Sequence, residues 1–260
     1  MTGRALVTGG ARRLGRAMAL HLAGRGYDVA VHYASGASDA EDVVAEIAAL
    51  GGRAVALGAD LLDEDQAQAL VGRAAQALGG PLSVLVNNAS IFEYDTLQTA
   101  TREGWDRHIG SNLRAPFVLT QGFAAQAPAA EMDAQAEPRA RALVVNMIDQ
   151  RVLKPTPEFM TYTIAKMGLW AFTRTAAQAL APGIRVNAIG PGPTLRGGRQ
   201  SPDHFARQRA ATILERGAHP EDICAALDYL LCAPAVTGQL ICVDGGQHLG
   251  WQTPDVLGVE

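Results

Sequence analysis

Basic residues are not in excess in this sequence of 260 residues: Lys and Arg number 22 against 26 Asp and Glu, a formal net charge of −4. No global positive field is available to hold a nucleic-acid backbone or an anionic membrane. Cysteine is scarce. Cys224, Cys232 and Cys242 stand in apolar surroundings with no CxxC spacing and no nearby pair of histidines, which argues against a zinc site and a disulfide framework and predicts three small buried hydrophobes. Long apolar runs are missing as well: no uninterrupted stretch reaches membrane-spanning length, and Met1 runs into Arg4 to Thr8 without a charged segment followed by an apolar one. A soluble cytoplasmic protein without a metal is expected. There is no internal repeat.

What is present is an ordinary globular composition, 48% hydrophobic and 18% charged, in a chain long enough to bury a continuous core. Short β-rich runs alternate with longer segments of helical period, the pattern of repeated βα units and a parallel sheet. Strands are predicted at 4–8, 27–33, 53–59, 82–87, 142–147, 184–189 and 239–243. Leu14, Met18 and Leu22 follow the first at helical spacing, and Ala67, Leu70, Val71, Ala74, Ala75 and Leu78 follow the third. The stretch 126–141, rich in Ala, Glu and Pro, reads as an exposed connection. A single domain over 1–260 is expected, of α/β class, with about seven strands in a doubly wound sheet and helices on both faces. Segment 191–218 is expected to supply a mobile substrate loop and a helix.

The first predicted strand ends in Thr8-Gly9-Gly10-Ala11-Arg12-Arg13-Leu14-Gly15, and a helix follows. Glycine there lets the backbone turn tightly and approach a phosphate, while free N–H groups and the helix dipole favour an anion. The spacing resembles the TGxxxGxG turn of the short-chain dehydrogenase/reductase family. Thr8, Gly9 and Gly15 match, and Arg13 replaces the middle glycine. Arg13 either lays its guanidinium against a pyrophosphate or a flat anionic substrate, or is solvated on the outer turn. After the second strand, Val31-His32-Tyr33-Ala34-Ser35-Gly36 offers no carboxylate for a ribose 2′-hydroxyl before Asp39. With Arg12, His32 and Ser35 as donors a 2′-phosphate is accommodated, so NADPH is the expected cofactor; His32 and Tyr33 could equally be plain strand residues. Asp60 resembles the family aspartate at the adenine, although Asp is also common at strand ends.

Downstream, Asn87-Asn88-Ala89-Ser90 resembles the family's NNAG segment with Ser90 for its glycine, and Asn112 stands in Gly110-Ser111-Asn112. Tyr162 and Lys166 have the YxxxK spacing that places both on one helix face, where a cationic lysine lowers the phenol pKa towards the working pH. Arg185-Val186-Asn187, Gly190-Pro191-Gly192 and Val243-Asp244-Gly245-Gly246 follow in the family's order, so the resemblance covers nearly the whole chain. Its implied catalytic residues are Asn112, Asp149, Tyr162 and Lys166; its implied cofactor contacts are Gly9, Arg12, Arg13, Leu14, Gly15, His32, Tyr33, Ser35, Asp60, Asn88, Ala89, Tyr162, Lys166, Pro191 and Gly192. Family members are usually tetramers, and Leu169, Trp170 and Phe172 on the helix from Tyr162 to Leu180 offer an apolar face, which packing on its own sheet also explains.

One departure is chemical. Thirteen residues before Tyr162, where most members carry serine, stands Asp149. A serine hydroxyl donates to a carbonyl oxygen on which charge develops; an ionised carboxylate only accepts, and repels that charge. Here the sequence resembles the pteridine reductase branch, which shares the arginine at Arg13, the His-Tyr pair at His32 and Tyr33, NNAS ending at Ser90, an aromatic at Phe92 and Asn-Met-x-Asp ending at Asp149. That resemblance implies a pterin sandwiched by Phe92 and the nicotinamide, reached by Arg13 and Ser90, with Asp149, Tyr162 and Lys166 in a proton relay; a core role for Phe92 is the alternative. The expected reaction is NADPH-dependent hydride transfer to a dihydropterin or dihydrofolate. A general carbonyl or 3-oxoacyl reductase and a non-catalytic NADPH sensor are the competing readings.

Overall fold

The computed structural model describes residues 3–253 and 256. In chain order the elements are β1 (Arg4–Val7), α1 (Arg13–Gly24), β2 (Asp28–Tyr33), α2 (Ala37–Ala49), β3 (Ala54–Gly58), α3 (Glu64–Leu78), β4 (Val84–Asn87), α4 (Arg102–Ile109), α5 (Ala115–Gln126), β5 (Glu131–Met132), β6 (Pro138–Arg139), β7 (Ala142–Met147), α6 (Met160–Leu180), β8 (Ile184–Pro191), α7 (Pro202–Ala210), α8 (Pro220–Cys232) and β9 (Leu240–Val243). Seven strands form one parallel sheet in the order β3-β2-β1-β4-β7-β8-β9. It is the expected Rossmann-type sheet, and each strand lies within a residue or two of its predicted place.

The strands are almost continuously apolar because both faces are covered. In β7 all six residues of Ala-Leu-Val-Val-Asn-Met are buried. One face packs on α1, α2 and α8 through Met18, Leu22, Val43, Ile47, Ile223 and Leu227. The other packs on α3, α5 and α6 through Leu70, Leu78, Leu119, Phe123 and Ala177. The helix ends follow local chemistry: Asp63 accepts from the Asp65 and Gln66 N–H groups at the start of α3, and Gly79 at φ 75° closes its end in the left-handed conformation. Since strand order reverses between β1 and β4, the loops leaving their carboxyl ends diverge and open a crevice, the place where such sheets bind ligands.

Two expectations need correction. Segment 126–141 contains an antiparallel ladder, Glu131 to Arg139 and Met132 to Pro138. With two exposed residues per strand it is too short to show a period, and the Asp133 carboxylate, accepting from the Gln135 and Glu137 N–H groups, shapes its turn. Among the cysteines Cys224 is buried and Cys242 partly so, but Cys232 is exposed at the end of α8, where its Sγ takes a hydrogen bond from Arg25. Segment 192–201 runs as a loop into α7. No described helix is long and apolar enough to cross a membrane, and no described cluster of His, Cys, Asp or Glu could hold a metal ion.

Candidate active site

The crevice begins at the glycine turn. Gly9 adopts φ 59°, and a Cβ on Gly15 would stand 2.0 Å from the Gly9 carbonyl, so backbone meets backbone where any side chain would collide. Helix α1 starts without a side-chain cap and with no acid in its first turn. Its free N–H groups and bare surface fit a pyrophosphate, with Leu14 in that first turn. Thr8 fixes the turn to the end of β4: its Oγ1 accepts from the Asn88 and Ala89 N–H groups at 2.8 and 3.0 Å, and the Asn88 amide donates to the carbonyls of Thr8 and Gly9.

His32 belongs to this scaffold and is no phosphate donor. It is buried, its Nδ1 accepts from the Gly9 N–H at 3.0 Å, and its Nε2 donates to the Ala59 carbonyl at 3.0 Å. Burial lowers its pKa, so the neutral ring that both bonds require is the stable form. Tyr33 packs its ring over Gly58, where a Cβ would meet it at 3.1 Å. Arg12 is the cation beside the end of β2: it pairs with Asp39 through Nε at 2.7 Å, remains largely exposed, and reaches Gly36 next to the exposed Ser35. Asp60 is exposed past β3 and its Oδ1 accepts from the Leu62 N–H. At the opposite wall Pro191 ends β8, and Gly192 donates to the Val243 carbonyl against Asp244, where a Cβ would clash at 2.5 Å.

Arg13, at the place of a glycine in the family pattern, adopts the left-handed conformation that favours glycine, with φ 54°. That backbone is strained for a residue with a Cβ. Its guanidinium spans the crevice to the carbonyls of Leu195 and Arg196 at 3.0 and 2.9 Å and ties the glycine turn to the loop before α7.

Asp149, Tyr162 and Lys166 come together at the base of the crevice. Tyr162 donates its hydroxyl proton to Asp149 Oδ2 at 3.0 Å, and Asp149 Oδ1 accepts from the Arg151 N–H at 2.8 Å. Desolvation raises the Asp149 pKa. Desolvation and the adjacent Asp149 charge push the Tyr162 phenol well above its ordinary value. The expected lowering of the phenol by lysine is therefore not found: Lys166 Nζ is buried, donates to the Met147 carbonyl at 2.8 Å and lies 5.7 Å from the Tyr162 ring centre, with its pKa lowered to about 8 by burial. Asn112 stands in one π-helical turn at Gly110–Arg114, is fully buried, and clamps Ile91 by accepting from its N–H and donating to its carbonyl, both at 2.8 Å. Such a turn often marks a functional site. Asn112 thereby holds the loop after β4.

That loop carries Ser90, whose hydroxyl donates to the Ile91 carbonyl at 3.4 Å, and Phe92. Phe92 is 45% exposed and so is not the core residue of the alternative reading. One of its faces is stacked on Phe159, with ring centres 4.3 Å apart and 10° between planes, and its edge meets Tyr162 at 4.7 Å. Arg199 sits over both rings, at 5.7 and 5.9 Å, and bonds the Phe92 carbonyl. Neither Phe159 nor Arg199 carried a sequence signal: Phe159 precedes the YxxxK helix, and Thr194 to Arg199 match no pattern.

Fold, glycine turn and Asp-Tyr-Lys cluster define a nucleotide-dependent oxidoreductase, and the chain belongs to the short-chain dehydrogenase/reductase family. A family model described as enoyl-(acyl carrier protein) reductase matches residues 9–248. The chain is similar to a 3-oxoacyl-[acyl-carrier-protein] reductase FabG of Staphylococcus aureus (strain N315), at 34% identity over 254 residues covering 96% of this chain and 99% of that protein. It is similar at 34% identity to a 3-oxoacyl-[acyl-carrier-protein] reductase of Synechocystis sp., covering 93% of this chain and 95% of the other. Among solved structures it resembles FolM alternative dihydrofolate reductase 1 from Brucella canis complexed with NADP, with a TM-score of 0.90, 42% identity and coverage of 98% and 97%.

Proposed function

We propose that the protein is an NADPH-dependent reductase of a dihydropterin or dihydrofolate substrate. The observation that carries this is Asp149 in place of the usual serine, partly exposed in the crevice and bonded to Tyr162. A pterin presents ring N–H and amino donors that a carboxylate can accept, and its C=N bond needs a proton on nitrogen after hydride reaches carbon. The exposed part of the Phe92 ring offers a stacking platform for a flat ring, with Ser90 on the same loop and Arg13 reaching across the crevice. The NADP of the similar Brucella canis structure supports the cofactor, and the residues here fit it: Gly9, Leu14 and Gly15 for the pyrophosphate, Arg12 and Ser35 for a 2′-phosphate, Asn88, Ala89, Pro191 and Gly192 along the nicotinamide half, Lys166 for the ribose. When bound, the reduced nicotinamide supplies the hydride. Asp149, with its raised pKa, holds or passes the proton, and Tyr162 stays a neutral phenol that orients it. Water replenishes the proton, so reduced pterin and oxidised cofactor are the products.

A second reading has its own observation. The raised Asp149 pKa favours a neutral acid that could donate to a carbonyl oxygen, as a 3-oxoacyl reductase requires and as the FabG relatives suggest. A homotetramer is part of the proposal: Ile164 and Met167 are exposed on α6, and Phe117 and Phe172 line a groove of about 400 Å³ between α5 and α6. Leu169, in contrast, is buried against its own sheet and cannot serve that contact. The test is NADPH oxidation with dihydrobiopterin, dihydromonapterin, dihydrofolate and a 3-oxoacyl ester in parallel. Turnover of a pterin supports the proposal; turnover of the ester alone overturns it.

A further inference from the structure

Beneath the aromatic pair lies a buried polar chain that the proposed reaction does not use. The Glu93 N–H donates to His108 Nε2 at 3.1 Å, and His108 Nδ1 stands 2.7 Å from Thr161 Oγ1. Thr161 Oγ1 in turn donates to Asp95 Oδ2, and the Phe159 N–H donates to the Asp95 carbonyl at 2.8 Å. His108, Thr161 and Asp95 are all nine-tenths or more buried. The directions are fixed by the first link. Because Nε2 accepts from a backbone N–H, the proton of the neutral ring is on Nδ1 and is given to Thr161, whose own proton then goes to the Asp95 carboxylate. No member can be rotated or replaced by a group of the same shape without leaving a buried donor or acceptor unmatched.

The ends of this chain adjoin the site. Glu93 follows Phe92, and Thr161 precedes Tyr162. We propose that His108, Thr161 and Asp95 are positioning residues that lock the loop carrying Phe92 to the start of α6, and so fix the spacing between the stacking ring and the Tyr162 hydroxyl. This rests on the assignment of Phe92 and Tyr162 to the active site. The ring-to-ring geometry, 4.7 Å between Phe92 and Tyr162 and 6.1 Å between His108 and Tyr162, places the imidazole behind the phenol and outside the crevice residues that meet substrate. It acts through them.

Thr161→Val keeps the shape of the side chain and removes the hydroxyl, whereas Thr161→Ser keeps the hydroxyl. In the full-length enzyme with NADPH, Thr161→Val is expected to lower kcat/KM for the dihydropterin about 10- to 100-fold, the effect of misplacing reacting groups, with NADPH affinity unchanged. Amide exchange across residues 91–95 should speed up. Thr161→Ser should restore both the rate and the protection. Wild-type kcat/KM in Thr161→Val, a serine variant as impaired as the valine one, or unaltered exchange across 91–95 would each overturn the proposal. If Thr161→Val does not fold, His108→Leu carries the same expectations. A wild type that reduces no pterin counts against the proposed substrate alone; the variants are then compared on the 3-oxoacyl ester, with the exchange experiment unchanged.

Discussion

The Tyr162 hydroxyl donates to Asp149 Oδ2 at 3.0 Å, and the carboxylate takes a second proton donor, the Arg151 N–H, on its other oxygen. The direction of the first bond assigns the roles. The Asp149 charge disfavours ionisation of Tyr162, so the pair carries one negative charge at most; burial raises both pKa values, and the hydrogen bond donated by Tyr162 works the other way on Asp149. In the proposed reaction the proton passes through Asp149, which burial shifts towards its protonated form, while Tyr162 stays un-ionised.

Tyr162→Phe removes that bond and leaves the glycine turn untouched. NADPH affinity, measured by fluorescence titration, should remain within about threefold of wild type, while turnover falls by about 10²- to 10⁴-fold, the usual scale of a lost proton-transfer group. Loss of NADPH binding instead would show that the ring supports the fold rather than the reaction.

Lys166 sets the alkaline limit. Its pKa in the folded protein is lowered to about 8 from 10.5, so kcat/KM for NADPH, which reports the free enzyme, should decline above about pH 8. In Lys166→Arg, whose guanidinium stays charged, that limb should move upward. The same shift has a sign for stability: between the folded and unfolded values the unfolded chain binds more protons, so this group makes stability rise with pH from about 8 to 10.5. Urea midpoints of wild type minus Lys166→Met across that window should show the rise; a flat difference would contradict the burial of the charge.

Arg13 combines backbone strain with a useful side chain. Both Arg13→Ala and Arg13→Gly cut the bonds to Leu195 and Arg196 and should weaken pterin turnover alike. They should differ in stability. At φ 54° glycine is unstrained and alanine is not, so Arg13→Gly should be more stable than Arg13→Ala by about 1 kcal/mol in chemical denaturation. Equal stabilities would mean that the turn relaxes when the side chain is removed.

The seven strands, the glycine turn and the Tyr162-Lys166 pair were legible because each rests on a local pattern: a buried apolar run, a collision-free turn, a four-residue helical spacing; Asp149 was placed beside them only by the family resemblance. The sequence leaves His32 open between a phosphate donor and a plain strand residue because it cannot show that both ring nitrogens are taken by Gly9 and Ala59. The His108-Thr161-Asp95 chain and the Phe92-Phe159 stack join residues more than fifty positions apart, and no period or spacing announces such contacts. The same holds for Arg199, which reaches Phe92 across the crevice from a loop with no motif.

Arg12 pairs with Asp39 beyond the end of β2, and its largely exposed guanidinium is the cation there for a 2′-phosphate. Arg12→Ala should reduce the preference for NADPH over NADH, read as the ratio of kcat/KM values, by about tenfold or more, acting on NADPH and sparing NADH. An unchanged ratio would move 2′-phosphate recognition to another group.

The most direct test of the central claim is the ratio of kcat/KM for a dihydropterin to that for a 3-oxoacyl ester, in wild type and in Asp149→Ser, with NADPH throughout. If Asp149 selects a substrate that offers N–H donors and takes its proton on nitrogen, the wild-type ratio is high and the serine variant lowers it by about 10²-fold or more, through lost pterin turnover with ester reduction retained or gained. A wild type that turns over only the ester, or a ratio that Asp149→Ser leaves unchanged, would contradict the account.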